Sequence, residues 1–200
     1  MAKTQAERTL EIMKRTGVLR PRDLNACGLP RTVLQRLHHR GQVRRVGRGL
    51  YVLPDADATE YHTLAQASKR VPRGVVCLLS ALRFHGLTSQ APFQVCLAIE
   101  EKARKPRVDH PPLRFVRFSG AAFESGIEEH RIEGVVVSIY GPAKTVADCF
   151  KYRHKIGLDI AIEALRDCRR QRLCTNDQLW HYAKICRVAN VMRPYLEATA

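Results

Sequence analysis

Short helical segments closing on an arginine-bearing hairpin, then strands interleaved with helices, then helices alone: this order predicts an α/β (α+β) protein. It divides into an N-terminal winged helix-turn-helix and a mixed α/β domain with a helical C-terminal end. A second observation is the charge. The 200 residues hold 34 Lys and Arg against 19 Asp and Glu, a net +15, a field that draws a protein toward polyanions. A third is its distribution. Residues 1–55 hold twelve basic and four acidic side chains, net +8 in a quarter of the chain. The boundary is expected between 1–56, the winged helix-turn-helix, and 57–200, the mixed α/β domain, within the small polar stretch Asp55-Ala56-Asp57-Ala58-Thr59.

The first helix opens on Thr4 with Glu7 three residues on, the spacing of a capping box, and runs on an apolar side of Leu10, Ile12 and Met13. Gly17 stops it, and Val18-Leu19 reads as a short extended link. Pro21 suits the first turn of a second helix, Pro21–Ala26, with Leu24 in the core and Cys27-Gly28 as the turn. A third helix, Pro30–Arg40, stacks Leu29, Val33 and Leu37 with Leu34 beside them into one apolar stripe. Its other side carries Arg31, Thr32, Gln35, His38 and His39, with Arg36 near the edge. Gln42–Val46 and Leu50–Leu53 form a hairpin about Gly47-Arg48-Gly49, and Pro54 ends it.

Two helices joined by a tight turn, the second studded with donors, match the helix-turn-helix arrangement in which the second helix enters the major groove. Arg31, Thr32 and Gln35 are the expected base contacts, since Arg suits guanine O6/N7 and Gln adenine N6/N7. Arg20, Arg22, Arg36, His39, Arg44, Arg45 and Arg48 are the expected backbone or minor-groove contacts. The same residues would also decorate a winged helix used to grip a protein.

Beyond the linker, Tyr61–Arg70 reads as a helix and Val75–His85 as an apolar helix or strand-helix. Strands follow at Phe93–Ile99, Arg114–Phe118, weakly at His130–Ile132, and at Val135–Ile139. Lys102–Pro112, with Arg104, Lys105 and Arg107, is a basic loop read as a solvated excursion, a second phosphate contact being the alternative. Helices close the chain at Pro142–Tyr152, Leu158–Arg170, Thr175–Arg187 and Val191–Leu196.

No enzyme is expected. Gly141-Pro-Ala-Lys144-Thr145 follows a strand and opens a helix, but it lacks the glycines of a P-loop, and its proline removes an amide from any phosphate cradle. Lys144 and Asp148, at i and i+4, read more simply as an ion pair. No H-E-x-x-H or G-x-S-x-G is present. The seven cysteines read as free thiols of a reducing cytoplasm. Cys168, Cys174, His181 and Cys186 lack zinc-ligand spacing, so no metal or cofactor is expected. No apolar run approaches membrane-spanning length, and the start shows no secretory pattern.

Three segments together carry a family resemblance. They are Gly17–Leu24 with Leu34–Gly41 and Val46–Leu53; Leu79-Ser-Ala-Leu-Arg-Phe-His-Gly-Leu-Thr88; and Tyr140-Gly-Pro-Ala-Lys-Thr-Val-Ala-Asp148-Cys-Phe. The chain resembles the AbiEi antitoxins of bacterial toxin–antitoxin and abortive infection systems along nearly its whole length. The resemblance implies a repressor of its own operon that binds upstream double-stranded repeats. It also implies an antitoxin-like second domain countering a nucleotidyltransferase-like toxin without a stable complex. Ser80, His85, Lys144 and Asp148 are expected to form a structural network of that second domain. No heptad run marks a dimer helix, so a monomer or weak dimer in the cytoplasm is expected. A stand-alone regulator without a toxin, a protein-interaction module and a nucleic-acid enzyme are the competing readings.

Overall fold

The computed structural model describes residues 3–47, 49–54 and 60–198. The chain groups into two compact units. The first comprises Met1–Pro72, Val108–Pro111 and Arg131–Val137, the second Arg73–Arg107, Pro112–His130 and Ser138–Ala200. The boundary expected at 56/57 lies outside the described residues.

The first unit begins with α1 (Gln5–Thr16). Thr4 Oγ1 accepts from Glu7 N at 3.2 Å and Thr4 N donates to the Glu7 carboxylate at 2.8 Å, so two otherwise unpaired amides of the first turn are satisfied reciprocally. β1 (Val18–Leu19) follows. The helix expected over Pro21–Ala26 is instead a run of turns closing in a 3-10 helix at Asn25–Cys27. Its bonds reach back three residues: Asp23 N to Arg20 O, Asn25 N to Arg22 O, Cys27 N to Leu24 O. The Asp23 carboxylate accepts from Arg20 N at 3.0 Å and from the Arg20 guanidinium, tying the entry of the segment to its first turn.

α2 (Thr32–His39) buries Val33, Leu34 and Leu37, each contributing roughly 1.5–3 kcal/mol of hydrophobic stabilisation, against Met13, Leu19, Leu24 and Tyr51. β2 (Arg44–Gly47) and β3 (Leu50–Val52) complete an antiparallel sheet ordered β1-β3-β2. Helix, strand, turn, helix and hairpin in this order are the winged-helix arrangement. α3 (His62–Arg70) also belongs to this unit, and its Lys69 ammonium lies 3.1 Å from Asp23. The unit packs closely at Gly17 and Gly134, where a Cβ on either would run into backbone of Glu133 or of Arg15.

The remaining elements follow in order: β4 (Val75–Val76), α4 (Leu78–Phe84), β5 (Val95–Glu100), β6 (Leu113–Phe118), α5 (Ala121–Glu124), β7 (Ile127–Ile132) and β8 (Val135–Tyr140). Then come α6 (Pro142–Lys151), α7 (Arg153–Ile156), α8 (Leu158–Arg170), α9 (Asn176–Ile185) and α10 (Ala189–Ala198). The sheet order is β6-β5-β4-β8-β7. The apolar segment Val75–His85 divides because β4 pairs antiparallel to β5 and parallel to β8, after which Cys77 caps α4. β5 and β6 run parallel in unbroken register from Val95↔Leu113 to Glu100↔Phe118. A parallel pair needs a long crossover, and residues 101–112 are that crossover. Two short helices, α5 and α7, went unseen in the sequence, each being a single turn too brief for a periodic signal.

α6 is the central helix of the second unit, packing with α4, α8, α9 and α10. Of its ten residues, eight are buried, Lys144 and Asp148 among them. The Lys144 ammonium lies 2.7 and 2.6 Å from the two Asp148 oxygens. It also lies 4.1 Å from the centre of the Tyr140 ring and 4.8 Å from that of Phe118. The Cys186 thiol donates to Asp148 at 3.2 Å. Burial pushes the Asp148 carboxyl above its ordinary value while Lys144 pulls the other way, so the pair offsets its own desolvation rather than adding a large surplus. His85 Nε2 donates to Tyr140 O at 2.8 Å, beside the Thr145 hydroxyl, which donates to the same oxygen at 2.9 Å. Ser80 stands apart: its hydroxyl accepts from Cys96 N at 2.9 Å and ties α4 to β5.

Removing one member of the Lys144–Asp148 pair strands the other. Lys144→Met is expected to destabilise by about 3–5 kcal/mol, and Lys144→Met with Asp148→Leu to recover most of that loss, both read from urea unfolding. In the first unit, burial works to raise the Asp23 carboxyl, but the Arg20 hydrogen bonds and the Lys69 charge outweigh it and hold it below the ordinary 3.8. A depressed carboxylate stabilises above its unfolded value and loses that contribution as pH falls through the folded one. Asp23→Asn is therefore expected to cost about 1–2 kcal/mol at neutral pH. The difference from wild type should shrink as unfolding is repeated below about pH 3.8.

Candidate nucleic-acid interface

The apolar stripe of α2 decides which side chains are left outside. With Val33, Leu34 and Leu37 buried, Thr32, Gln35, Arg36, His38 and His39 are exposed, as is Arg31 at the helix start. At 100° per residue, Thr32, Gln35 and His39 fall on the line opposite the buried stripe, with Arg31 and Arg36 flanking it on either side. Arg36 shares its side with Arg40 and the start of α1, where both line a shallow cavity of about 320 Å³ with Thr4 and Gln5. The eight residues of α2 extend about 12 Å, the width of a B-form major groove.

Arg31 is anchored. Its Nε donates to Asn25 Oδ1 at 3.2 Å, holding the guanidinium at the entrance of the helix. Asn25 carries no signal of this role in the sequence, where it lies three residues before the turn glycine Gly28. His38 Nδ1 donates to Val43 O at 3.2 Å and its ring meets Tyr51 edge-on at 6.0 Å, so it braces the turn into β2.

Arg44 and Arg45 are exposed on β2, and Arg45 Nε donates to Gly47 O at 3.2 Å. Arg48 lies outside the described residues. Arg22 is exposed on the turn before α2, whereas Arg20 is half-buried. Arg20 pairs with Asp23 at 3.0 Å and donates to Lys69 O, so its guanidinium is engaged within the unit. The exposed α2 side chains and the hairpin arginines include no carboxylate. Such a surface can take phosphates by charge, and it offers on one helix the donors and the amide that read base edges.

Ser80, His85, Lys144 and Asp148 lie elsewhere, in the buried core of the second unit. Burial lowers the His85 imidazole, against the pull of the Tyr140 carbonyl, which suits a neutral donor. No group of three or more His, Cys, Asp or Glu that could hold a metal occurs among the described residues, and none of the described helices is long and apolar enough to cross a membrane.

Residues 6–54 match the model of a family described as transcriptional regulator, AbiEi antitoxin. None of the curated proteins matches the chain in sequence. Among solved structures, the chain is similar to the crystal structure of the Rv2827c protein from Mycobacterium tuberculosis. The two agree with a TM-score of 0.60 at 15% identity, over 92% of this chain and 72% of the other, a likeness of fold. The family match covers about a quarter of the chain and falls on the winged helix that presents α2 and the hairpin, which is thus an AbiEi-like N-terminal domain, similar to that family of transcriptional regulators.

Proposed function

We propose that this protein is a sequence-specific double-stranded DNA-binding autorepressor and antitoxin of the cytoplasm, which occupies operator repeats upstream of its own operon. The observation that carries the reading is the outer face of α2: a helix of groove length, carboxylate-free, presenting Arg31, Thr32 and Gln35 where base edges would be read. Arg22, Arg36, His39, Arg44, Arg45 and Arg48 take phosphates or the minor groove in this reading, and Arg20 holds the turn that aims α2. The regulatory family of residues 6–54 supports the antitoxin half, in which the second unit counters a nucleotidyltransferase-like toxin without a stable complex. The protein acts as a monomer or weak dimer.

The test is binding to the protein's own upstream DNA against a scrambled duplex of equal length, at low and near-physiological salt. A specific repressor prefers its site by roughly a hundredfold or more at the higher salt. Equal binding to both duplexes, vanishing together as salt rises, would mark a merely basic protein. Gln35→Ala is expected to cost about 1–3 kcal/mol of discrimination at a single base pair and little affinity elsewhere, read by titrating single-substituted operators. Arg44→Ala with Arg45→Ala is expected to weaken every duplex alike and flatten the salt slope by about two units. An unchanged slope would remove the hairpin from the interface.

A further inference from the structure

The crossover between β5 and β6 builds a second basic feature, wholly within the second unit. A cleft of about 410 Å³ opens there, lined by Lys105, Arg114, Arg117 and Lys155 together with Phe115 and Tyr152. Four cations line it and no carboxylate does. Among the described residues, Lys105, Arg114 and Lys155 make no ion pair. Ordinary surface cations are interspersed with acids, and this chain has 19 to distribute, yet none reaches the cleft.

The cleft is also held in shape. Arg117 Nη1 donates to the carbonyls of Glu101 and, at 2.9 Å, Ala103, fixing the start of the crossover and leaving Nε and Nη2 for a ligand. The Tyr152 hydroxyl donates to Arg117 O at 3.1 Å, which sets that ring beside the edge strand β6. Lys105 Nζ lies 5.8 Å from the centre of the Phe115 ring and Lys155 Nζ 5.7 Å from that of Tyr152. Each aromatic ring is therefore accompanied by an ammonium, and both rings are only half-buried.

We propose that this cleft is a nucleotide-binding site, taking a base against Phe115 or Tyr152 and its phosphates on Lys105, Arg114 and Lys155. Its volume lies in the range of small-molecule sites and is far too small for a duplex. Flat rings beside cations are the combination that stacks a base while neutralising its phosphates. An acidic peptide would match the charge and the free edge of β6 but leave the rings without a partner. The shared chemistry is one nucleotide, from a free nucleoside triphosphate or from a single strand threaded past the edge of the sheet. The site is separate from α2 and does not depend on the reading of that helix.

The test uses the full chain in calorimetric titrations at about 150 mM salt, where generic polyanion attraction is screened. The probes are ATP, inorganic tripolyphosphate, a thymidine octamer and an oligoglutamate peptide. ATP or the octamer is expected to bind, with roughly tenfold or greater loss in Arg114→Ala/Lys155→Ala and no change in Arg31→Ala/Gln35→Ala. Tripolyphosphate, lacking a base, is expected to bind at least about tenfold more weakly than ATP. ATP tighter than the octamer marks a free-nucleotide site, and the reverse marks a strand site. Lys105→Glu, an exposed loop substitution, is expected to give the same loss and serves if the double variant fails to fold. The proposal is overturned by wild-type affinity in the folded cleft variants, by tripolyphosphate binding as tightly as ATP, or by binding of the peptide alone. It is equally overturned if neither ATP nor the octamer binds.

Discussion

A buried pair of opposite charges sits at the centre of the second unit, and the elements around it are arranged accordingly. Lys144 and Asp148 are one helical turn apart on α6, with exposures of 0% and 1%. Leaving water is costly for each ion, and the interaction offsets that cost only when the geometry satisfies the remaining hydrogen-bonding capacity. Here the ammonium meets both carboxylate oxygens, the rings of Tyr140 and Phe118 supply their negative faces, and Cys186 adds a thiol donor from the end of α9. Three further bonds then fix Tyr140: its hydroxyl donates to Phe123 O at 2.7 Å, and its carbonyl accepts from His85 and Thr145. The pair thus meets the end of β8 through the Tyr140 ring and the end of α9 through Cys186, and Tyr140 in turn bonds to α5 and to the end of α4. Removing either partner alone would leave the other charge buried and uncompensated, which is the costly outcome.

The first unit works by a different constraint. Its small core leaves α2 little freedom, because three aliphatic side chains on one stripe must all be covered. Once they are, the rotation of α2 about its axis is set, and so is the set of residues left outside. Asp23 then fixes how the chain enters that helix. It closes the preceding turn through Arg20 and joins α3 through Lys69. The residues that orient the outer face are therefore largely different from those that occupy it: Arg20 and Asp23 belong to the first group, and Arg31, held by Asn25, belongs to the second.

Much of this was legible in the sequence because it rests on periodicity. The stripe Leu29–Val33–Leu37 identified α2 and its exposed face, and the Thr4 and Glu7 spacing identified the start of α1. The Gly-x-Gly hairpin identified the wing, and the i, i+4 spacing identified the Lys144–Asp148 pair. Leu158–Arg170 is helical over the expected span. What failed did so where local and tertiary preferences part. Pro21–Ala26 is short, and Gly28 in the left-handed region turns the chain just beyond it, so the segment winds in three-residue steps instead of a full helix. Val75–His85 is one apolar run that the sheet divides, since two residues are captured by β5 and β8 before the helix begins.

By itself the sequence determined which side chains seek the interior and which face of each helix carries charge, because burial acts residue by residue and repeats with the period of the element. It also fixed the excess of cations in the first quarter of the chain. Tertiary structure alone decided the order and direction of the strands. A two-residue strand at Val75–Val76 joins two others, and β6 runs parallel to β5 only because residues 101–112 carry the chain back. That return brings Lys105 and Arg114 together with Tyr152 and Lys155, separated by up to fifty positions in the chain. No period relates such residues, so their convergence is a property of the path the sheet imposes.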